Sequence, residues 1–369
     1  MIKSRYTPEV ADRVPSNRCL ALDSDQPKNQ VTRKAIVLIS GGLDSAIAAV
    51  LVKSWGIEVV GLHLKSPFGC TQDAAKVAED LDIPLVVKEK GEAFIKLIER
   101  PKYGYGSQMN PCIDCRIYMF ELAEKVRLEE KADFIATGEV VGQRPLSQNK
   151  SAMKLIERKS PLEERVLRPL SGGNLPPTLP EQMGWIKREN LLKLSGRGRS
   201  EQLALAKKLG ISHYSSPGGG CLLTEKAFSD RLKDFYEHPS YQNSEEKMAQ
   251  AALLRLGRHF RISKEVKVII ARTEMENTEF NKAWNHAGCT LFRPANFKGP
   301  LGLAFGTLNP ESKQTIANLM ARYGRKSEAS IQKIESLGYC EESTSKSELW
   351  DVLEPTHDSV LEKWRIGIT

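Results

Sequence analysis

From residue 35 onward, short β-branched runs alternate with longer stretches of helical period. AIVLI at 35–39 breaks at once into SGGLDS and then AIAAVLVKSWG, which predicts a strand, a tight glycine turn and a helix closed by Gly56. EVVGLHL at 58–64 reads as a second strand, CTQDAAKVAEDL as a helix and PLVVKE as a third strand. Apolar positions Ile117, Phe120, Leu122, Ala123 and Val126 place a helix over 112–131, and ADFIATG at 132–138 is another buried strand ending in glycine. VLRPLSGG at 166–173 reads as a fifth strand and SEQLALAKKLGIS at 200–212 as a helix. SPGGGCLLTEKAFSDRL at 216–232 reads as a glycine turn entering a further helix. Such alternation predicts an α/β fold, a doubly wound parallel sheet of Rossmann-like type.

The polar stretch HPSYQNSEEK suggests a boundary near residue 240, so the main domain is expected over 33–240 with a basic insert at 141–210. Beyond it, EEKMAQAALLRLG, KVIIA, TEMENTEFNKAWNHAG and LGLAFG predict a smaller C-terminal α/β module over 245–323. Residues 1–32, rich in proline and without a period, read as a flexible N-terminal arm; 324–369 reads as a charged C-terminal tail with partial helix. No apolar run approaches the ~18 residues of a membrane span, and no secretory leader is visible, so a cytoplasmic location is expected.

Charge changes this picture in one place. The chain carries 54 Lys and Arg against 46 Asp and Glu, and 141–210 holds 14 of the basic residues against six acidic ones. The whole excess of +8 therefore sits in the insert, as for a surface facing a polyanion.

The glycine loop carries the first specific chemistry. Gly41 and Gly42 let the backbone approach a ligand, and the exposed N–H groups at the start of the following helix form a nest for phosphate oxygens, with Ser40 and Ser45 adding hydroxyls. Asp44 beside bare phosphate would repel it, which implies a bridging Mg2+. Neither GxxxxGK[ST] nor GxGxxG is present. The loop suits a reaction in which ATP loses pyrophosphate and the AMP moiety activates a carbonyl oxygen.

SGGLDS after a hydrophobic strand resembles the PP-loop of the ATP pyrophosphatases. That resemblance implies that Ser40, Gly41, Gly42, Asp44 and Ser45 hold the pyrophosphate of ATP, that adenine lies near Gly61, Leu62 and His63, and that the strand end at Gly138 lines the nucleotide site.

Seven cysteines, an odd number, argue against a disulfide framework, and Cys112, Cys115 and Cys221 stand apart from the scattered Cys19, Cys70, Cys289 and Cys340. NPCIDC places Cys112 and Cys115 at the start of a helix whose dipole lowers thiol pKa values. Three thiolates without a fourth fit a [4Fe–4S] cluster with one open iron. Zinc with His213 as fourth ligand and a metal-free persulfide relay are the competing readings. His63, His213 and His286 otherwise read as structural.

NPCIDCRIYMF followed by ADFIATGEV is similar to segments of the tRNA 2-thiouridine synthases, and the core looks most like the tRNA 4-thiouridine synthase group over 33–235. Glu139 departs from the histidine many relatives carry there. No THUMP-type region precedes the loop and no rhodanese-like domain follows it. LLRLGRHFRISKEVKVIIARTEMENTEFNKAW resembles the RNA-binding module of NFACT-type proteins, with Arg258 and Arg261 around Phe260 as candidate contacts and Phe260 as a stacking platform. Together the resemblances imply an ATP-dependent tRNA sulfurtransferase, 4-thiouridine preferred. Asp44 and the three cysteines would be catalytic, Arg197 and Arg199 would face RNA, and a sulfide or carrier-protein donor would supply sulfur; a homodimer is compatible. A regulatory RNA-binding PP-loop protein and another adenylating ligase are the alternatives.

Overall fold

The computed structural model describes residues 32–68, 73–215, 221–325, 331–338 and 347–367. The expected arm at 1–31, Cys19, Cys70, Cys340 and the glycines of the 216–220 turn lie outside the described residues.

The first sheet has order β3-β2-β1-β4-β5, formed by β1 (Lys34–Leu38), β2 (Glu58–Lys65), β3 (Leu85–Glu89), β4 (Phe134–Ala136) and β5 (Val166–Leu167). Every pairing is parallel. β1 is central because KAIVL is apolar on both faces; Ala35, Ile36 and Val37 have no exposed surface. Each of the larger side chains contributes ~1.5–3 kcal/mol by burial.

Helices cover both faces. Over one lie α1 (Leu43–Ser54), α2 (Ala74–Asp80) and α7 (Ser200–Lys208), and Ala46, Ala48 and Ala49 keep α1 slim enough to be buried nearly all round. The other is covered by α4 (Cys112–Glu129), through Phe120, Ala123 and Val126, and by Ile156 of α5 (Lys150–Lys159). The chain leaves β1 for β2 on one side and returns to β4 on the other, so the loop after β1 lies at the topological switch point where such sheets bind ligands.

A third helical layer, α3 (Gly91–Glu99), α8 (Lys226–Glu237) and α9 (Ser244–Leu253), shares one core through Phe94, Ile98, Phe228, Phe235 and Ala251. The C-terminal module is a separate sheet of seven strands, all pairings antiparallel, in the order β11-β10-β8-β9-β7-β6-β12. Its strands are β6 (Arg258–Arg261), β7 (Lys267–Ile270), β8 (Thr290–Pro294), β9 (Gly302–Phe305), β10 (Lys333–Leu337), β11 (Ser347–Asp351) and β12 (Arg365–Ile366). α10 (Glu274–Ala283) packs on one face through Phe280; α11 (Pro310–Ala321) and α12 (Asp358–Trp364) pack on the other through Ile316, Met320 and Leu361. Short helical elements complete the first domain's surface, α6 (Leu179–Gln182) among them.

The expectation of a charged tail after 324 is corrected here. Segments of it supply β10, β11, α12 and β12, and β12 closes the sheet against β6. These strands are short and their exposed faces charged, so the local pattern carried little apolar alternation.

Two charge constellations tie layers together. Asp234 of α8 accepts from Arg261 Nε and Nη2 at 2.8 and 2.9 Å and lies 2.8 Å from Lys267 Nζ, joining the helical layer to β6 and β7. In the first domain, Glu139 is buried between Arg168, whose Nε is 3.0 Å away, and Arg116, whose Nε is 3.1 Å from Oε1 without the alignment of a hydrogen bond. Arg168 also reaches Glu157 of α5.

Candidate nucleotide and thiol site

The loop Ser40–Ser45 is built as the sequence requires. Gly41 adopts φ 84°, a conformation glycine takes without penalty, and Gly42 caps α1 from extended backbone. Ser45 Oγ donates to the Gly42 carbonyl at 2.8 Å and lies 3.2 Å from Ser40 Oγ, while Gly42 N donates to Ser40 Oγ at 3.3 Å. The serines thus hold the turn open at the helix N-terminus. Gly41 O accepts from Ser215 N at 2.9 Å, bringing Ser215 alongside the loop.

Gly138 is required for a steric reason. A Cβ there would lie 2.4 Å from the Asp44 carbonyl oxygen and 2.6 Å from Ser45 N, so the backbone beyond β4 rests directly on the loop. Gly61 and Leu62 lie within β2 rather than at its end: the strand runs on to Lys65, Gly61 N donates to Pro84 O at 2.8 Å, and Leu62 O accepts from Ile39 N at 2.9 Å, with the Leu62 side chain fully in the core. His63 is half-buried, its Nδ1 3.0 Å from Ile39 O.

Asp44 is the polar focus of the site. Oδ2 accepts from Gln143 Nε2 at 3.0 Å, and Oδ1 is buried without a partner. Burial pushes this carboxyl above its ordinary range, while the Gln143 bond and the fields of Arg199 and Arg144 pull the other way. An orphaned carboxylate oxygen beside a phosphate-type loop fits Mg2+, with Asp44 the residue that would hold it.

Cys112 opens α4 after Pro111, Cys115 lies one turn on, and Cys221 precedes a short helical turn; all three are free and half-buried. Asp114 between the first two has a structural task, accepting from Lys102 N at 2.9 Å and Tyr103 N at 3.0 Å. Burial, then neighbouring Cys115, push the Cys112 thiol up; Arg144, Arg116 and Asn110 oppose. Burial likewise pushes Cys221 up, against a backbone bond from Leu223 and with Cys115 and Cys112 adding to the rise. The helix dipole expected to lower these thiols is outweighed by desolvation.

The three thiols therefore feel one another, yet among the described residues no group of three or more His, Cys, Asp or Glu side chains is arranged to hold a metal ion. The donor set does not form a cluster site as it stands. His213 is committed to Asp80 Oδ2 at 2.7 Å, which removes it from a zinc set.

Arg144 is exposed and acts electrostatically on Asp44, Cys112 and Cys221 alike. It joins the nucleotide loop to the thiols. Sequence reasoning counted it only within a basic stretch and missed Gln143; their position just beyond the end of β4 was the available signal. Arg199, at the start of α7, faces Asp44, and Arg197 is exposed nearby. Arg168 of the insert is not an RNA contact, being buried between Glu139 and Glu157. Arg261 is held by Asp234, and Phe260 has no exposed surface, so neither the expected RNA contact at Arg261 nor stacking on Phe260 is available.

Residues 30–174 match a family model described as thiamine biosynthesis protein (ThiI), and residues 257–365 match one described as NFACT protein RNA binding domain. The chain is 34% identical over 133 residues to the tRNA-specific 2-thiouridylase MnmA of Geotalea uraniireducens, covering 30% of this chain and 36% of that protein. It is 35% identical over 127 residues to MnmA of Clostridium kluyveri, covering 29% and 36%. The chain thus spans about a third of the length of these curated relatives (36%). A solved 4-thiouridine synthetase–RNA complex with bound ATP aligns with TM-score 0.31 at 23% identity, covering 48% of this chain and 50% of that one. The PP-loop and NFACT-type resemblances read from the sequence are thereby met, each in its own segment. Among the described residues no helix is long and apolar enough to cross a membrane.

Proposed function

We propose that this protein is an ATP-dependent tRNA sulfurtransferase that adenylates a uridine carbonyl oxygen and replaces it with sulfur. The observation that carries the reading is that Arg144 acts both on Asp44, whose Oδ1 is orphaned in the glycine loop, and on the thiols of Cys112 and Cys221. The matches to ThiI and to an RNA-binding domain support tRNA as the substrate.

The turn Ser40–Ser45 and the N-terminus of α1 grip the departing pyrophosphate through backbone N–H groups that the fold has already positioned. Asp44 would hold Mg2+, which would neutralise phosphate charge when bound. Arg144 and Arg199 oppose the rise that burial imposes on Asp44 and favour the anionic groups that gather there. The uridine oxygen attacks the α-phosphorus of ATP, pyrophosphate leaves, and the ring carbon now bears AMP as a good leaving group. A sulfur nucleophile then adds to that carbon and AMP departs.

Cys112, Cys115 and Cys221 handle the sulfur. A [4Fe–4S] cluster is the finer reading of the sequence; a persulfide relay between two of the cysteines needs no metal, and iron analysis of anaerobically purified protein separates them. The uridine position is taken as C4. The test is incubation of the purified chain with tRNA, ATP, Mg2+ and sulfide, followed by nucleoside analysis. Pyrophosphate release with 4-thiouridine is the expected result; no thionucleoside and no tRNA-dependent pyrophosphate would sink the proposal, and 2-thiouridine would move the position.

A further inference from the structure

The C-terminal module carries a concave basic cup that the reaction leaves unused. It encloses about 690 Å3 and lies between the start of α10, the loop 295–301 after β8 and the end of α11. Such a volume suits a nucleotide-sized ligand. Five cations reach it: Arg258, Arg272, Arg293, Lys298 and Arg325. Two are answered by carboxylates, Arg293 by Glu335 at 2.6 Å and Arg272 by Glu276 at 3.4 Å. Among the described residues, Arg258, Lys298 and Arg325 have no carboxylate partner.

Arg258 is the most informative of the three. It is half-buried, its guanidinium 4.7 Å over the ring of Tyr323 and donating to Ala271 O at 3.2 Å. Tyr323 in turn leans on buried Phe260, at 6.1 Å between centroids. The arginine is thus fixed in place by stacking rather than by charge neutralisation, which leaves its positive charge for something outside the protein. Phe297 supplies an aromatic wall. A Cβ at Gly324 would lie 2.3 Å from that ring and one at Gly299 would lie 3.1 Å away, so both glycines exist to let the ring sit tightly. The opposite end of the same strand, Arg261, is consumed by Asp234, which localises the free charge of β6 to the cup.

We infer that this cup binds a single nucleotide of an unpaired RNA segment, its phosphate held by Arg258, Lys298 and Arg325 and its base set against Phe297. A duplex would present neither a splayed base nor a phosphate able to enter a concavity of this size. The inference deepens the reading of the chain as a tRNA enzyme by naming which part of tRNA the module grips, namely unpaired nucleotides rather than a helical stem.

The experiment uses the full chain, with Lys298→Gln, Arg325→Gln and the double variant. Both side chains are exposed, and the unfolding curve serves as the fold control. The probes are an oligouridine of about ten nucleotides, a duplex RNA of equal length and uridine monophosphate. The double variant should bind the single strand about tenfold or more weakly, and its plot of log affinity against log salt should be shallower by ~0.7 for each phosphate no longer neutralised. Single-strand binding equal to the parent's overturns the inference, as does a preference for duplex. Loss of uridine monophosphate binding alone would also overturn it, assigning the cup to a free nucleotide. The readout requires no thiolation: a chain that makes no thionucleoside but shows this RNA dependence defeats only the proposed activity. One that thiolates with unaltered oligouridine binding defeats only the cup.

Discussion

Asp44 illustrates a residue that is costly to the fold and useful to the site. Its carboxyl is raised by burial, so the folded state favours the protonated form. Between the ordinary aspartate range and the raised value the folded protein binds more protons than the unfolded chain, and stability from this group falls as pH rises through that window. Asp44→Asn should therefore leave the ligand-free protein as stable as the parent, or more so, in denaturant titrations at pH 7, while tRNA-dependent pyrophosphate release drops ~100-fold or more. Equal turnover in the variant would remove Asp44 from the machinery. Glu139 runs opposite. Burial pushes its carboxyl up, but Arg116 and Arg168 outweigh that and hold it below the usual range. Its contribution is complete above the ordinary glutamate range and lost as pH falls through the depressed value. Glu139→Gln, leaving buried Arg168 with Glu157 alone and Arg116 without its carboxylate, should cost about 3–5 kcal/mol at pH 7 by the same titration. A change under about 1 kcal/mol would mean Glu157 suffices alone.

The decisive contact among elements is between the residues after β4 and the first turn of α1. A methyl at Gly138 would overlap the Asp44 carbonyl, and neither backbone can yield without moving the loop. Overpacking of this kind costs ~1–3 kcal/mol, so Gly138→Ala should weaken ATP binding about tenfold in calorimetric titration. Oligouridine binding should hold, since the cup lies in the other sheet. At this scale the sequence was readable where an element declares itself locally. AIVLI, SGGLDS and the helix after them are strand, turn and helix whatever surrounds them. It was unreadable where an element depends on neighbours: KIESL and SELWD become β10 and β11 because they pair with each other and with β8, not because of their own apolar content. The end of the second strand was likewise set by a neighbour, since pairing of β2 with β3 carries it past Gly61 and Leu62 to Lys65.

Across the whole molecule, α8 is one of the links between the nucleotide domain and the RNA-type module, alongside α9, whose Gln250 donates to Ala287 O at 2.9 Å. Burial opposes its ionisation, yet Arg261 and Lys267 hold Asp234 below the ordinary carboxylate range, so this tie persists at mildly acidic pH. Asp234→Asn leaves two partly buried cations unanswered and should cost about 3–5 kcal/mol. The loss should appear in scanning calorimetry as a lower first transition assigned to the C-terminal module, with the nucleotide domain melting later. A single unshifted transition would show that the shared apolar layer, not the ion triad, joins the two. The sequence alone determined the glycine loop, its place after a central strand, the parallel alternation and the presence of an NFACT-type segment, because each is written in residues adjacent along the chain. Only the tertiary structure decided which arginines remain free, that Arg144 acts on Asp44 as well as on Cys112 and Cys221, and that those two thiols are raised rather than lowered. Those outcomes depend on desolvation and on charges brought together from distant segments, and neither is encoded at any single position.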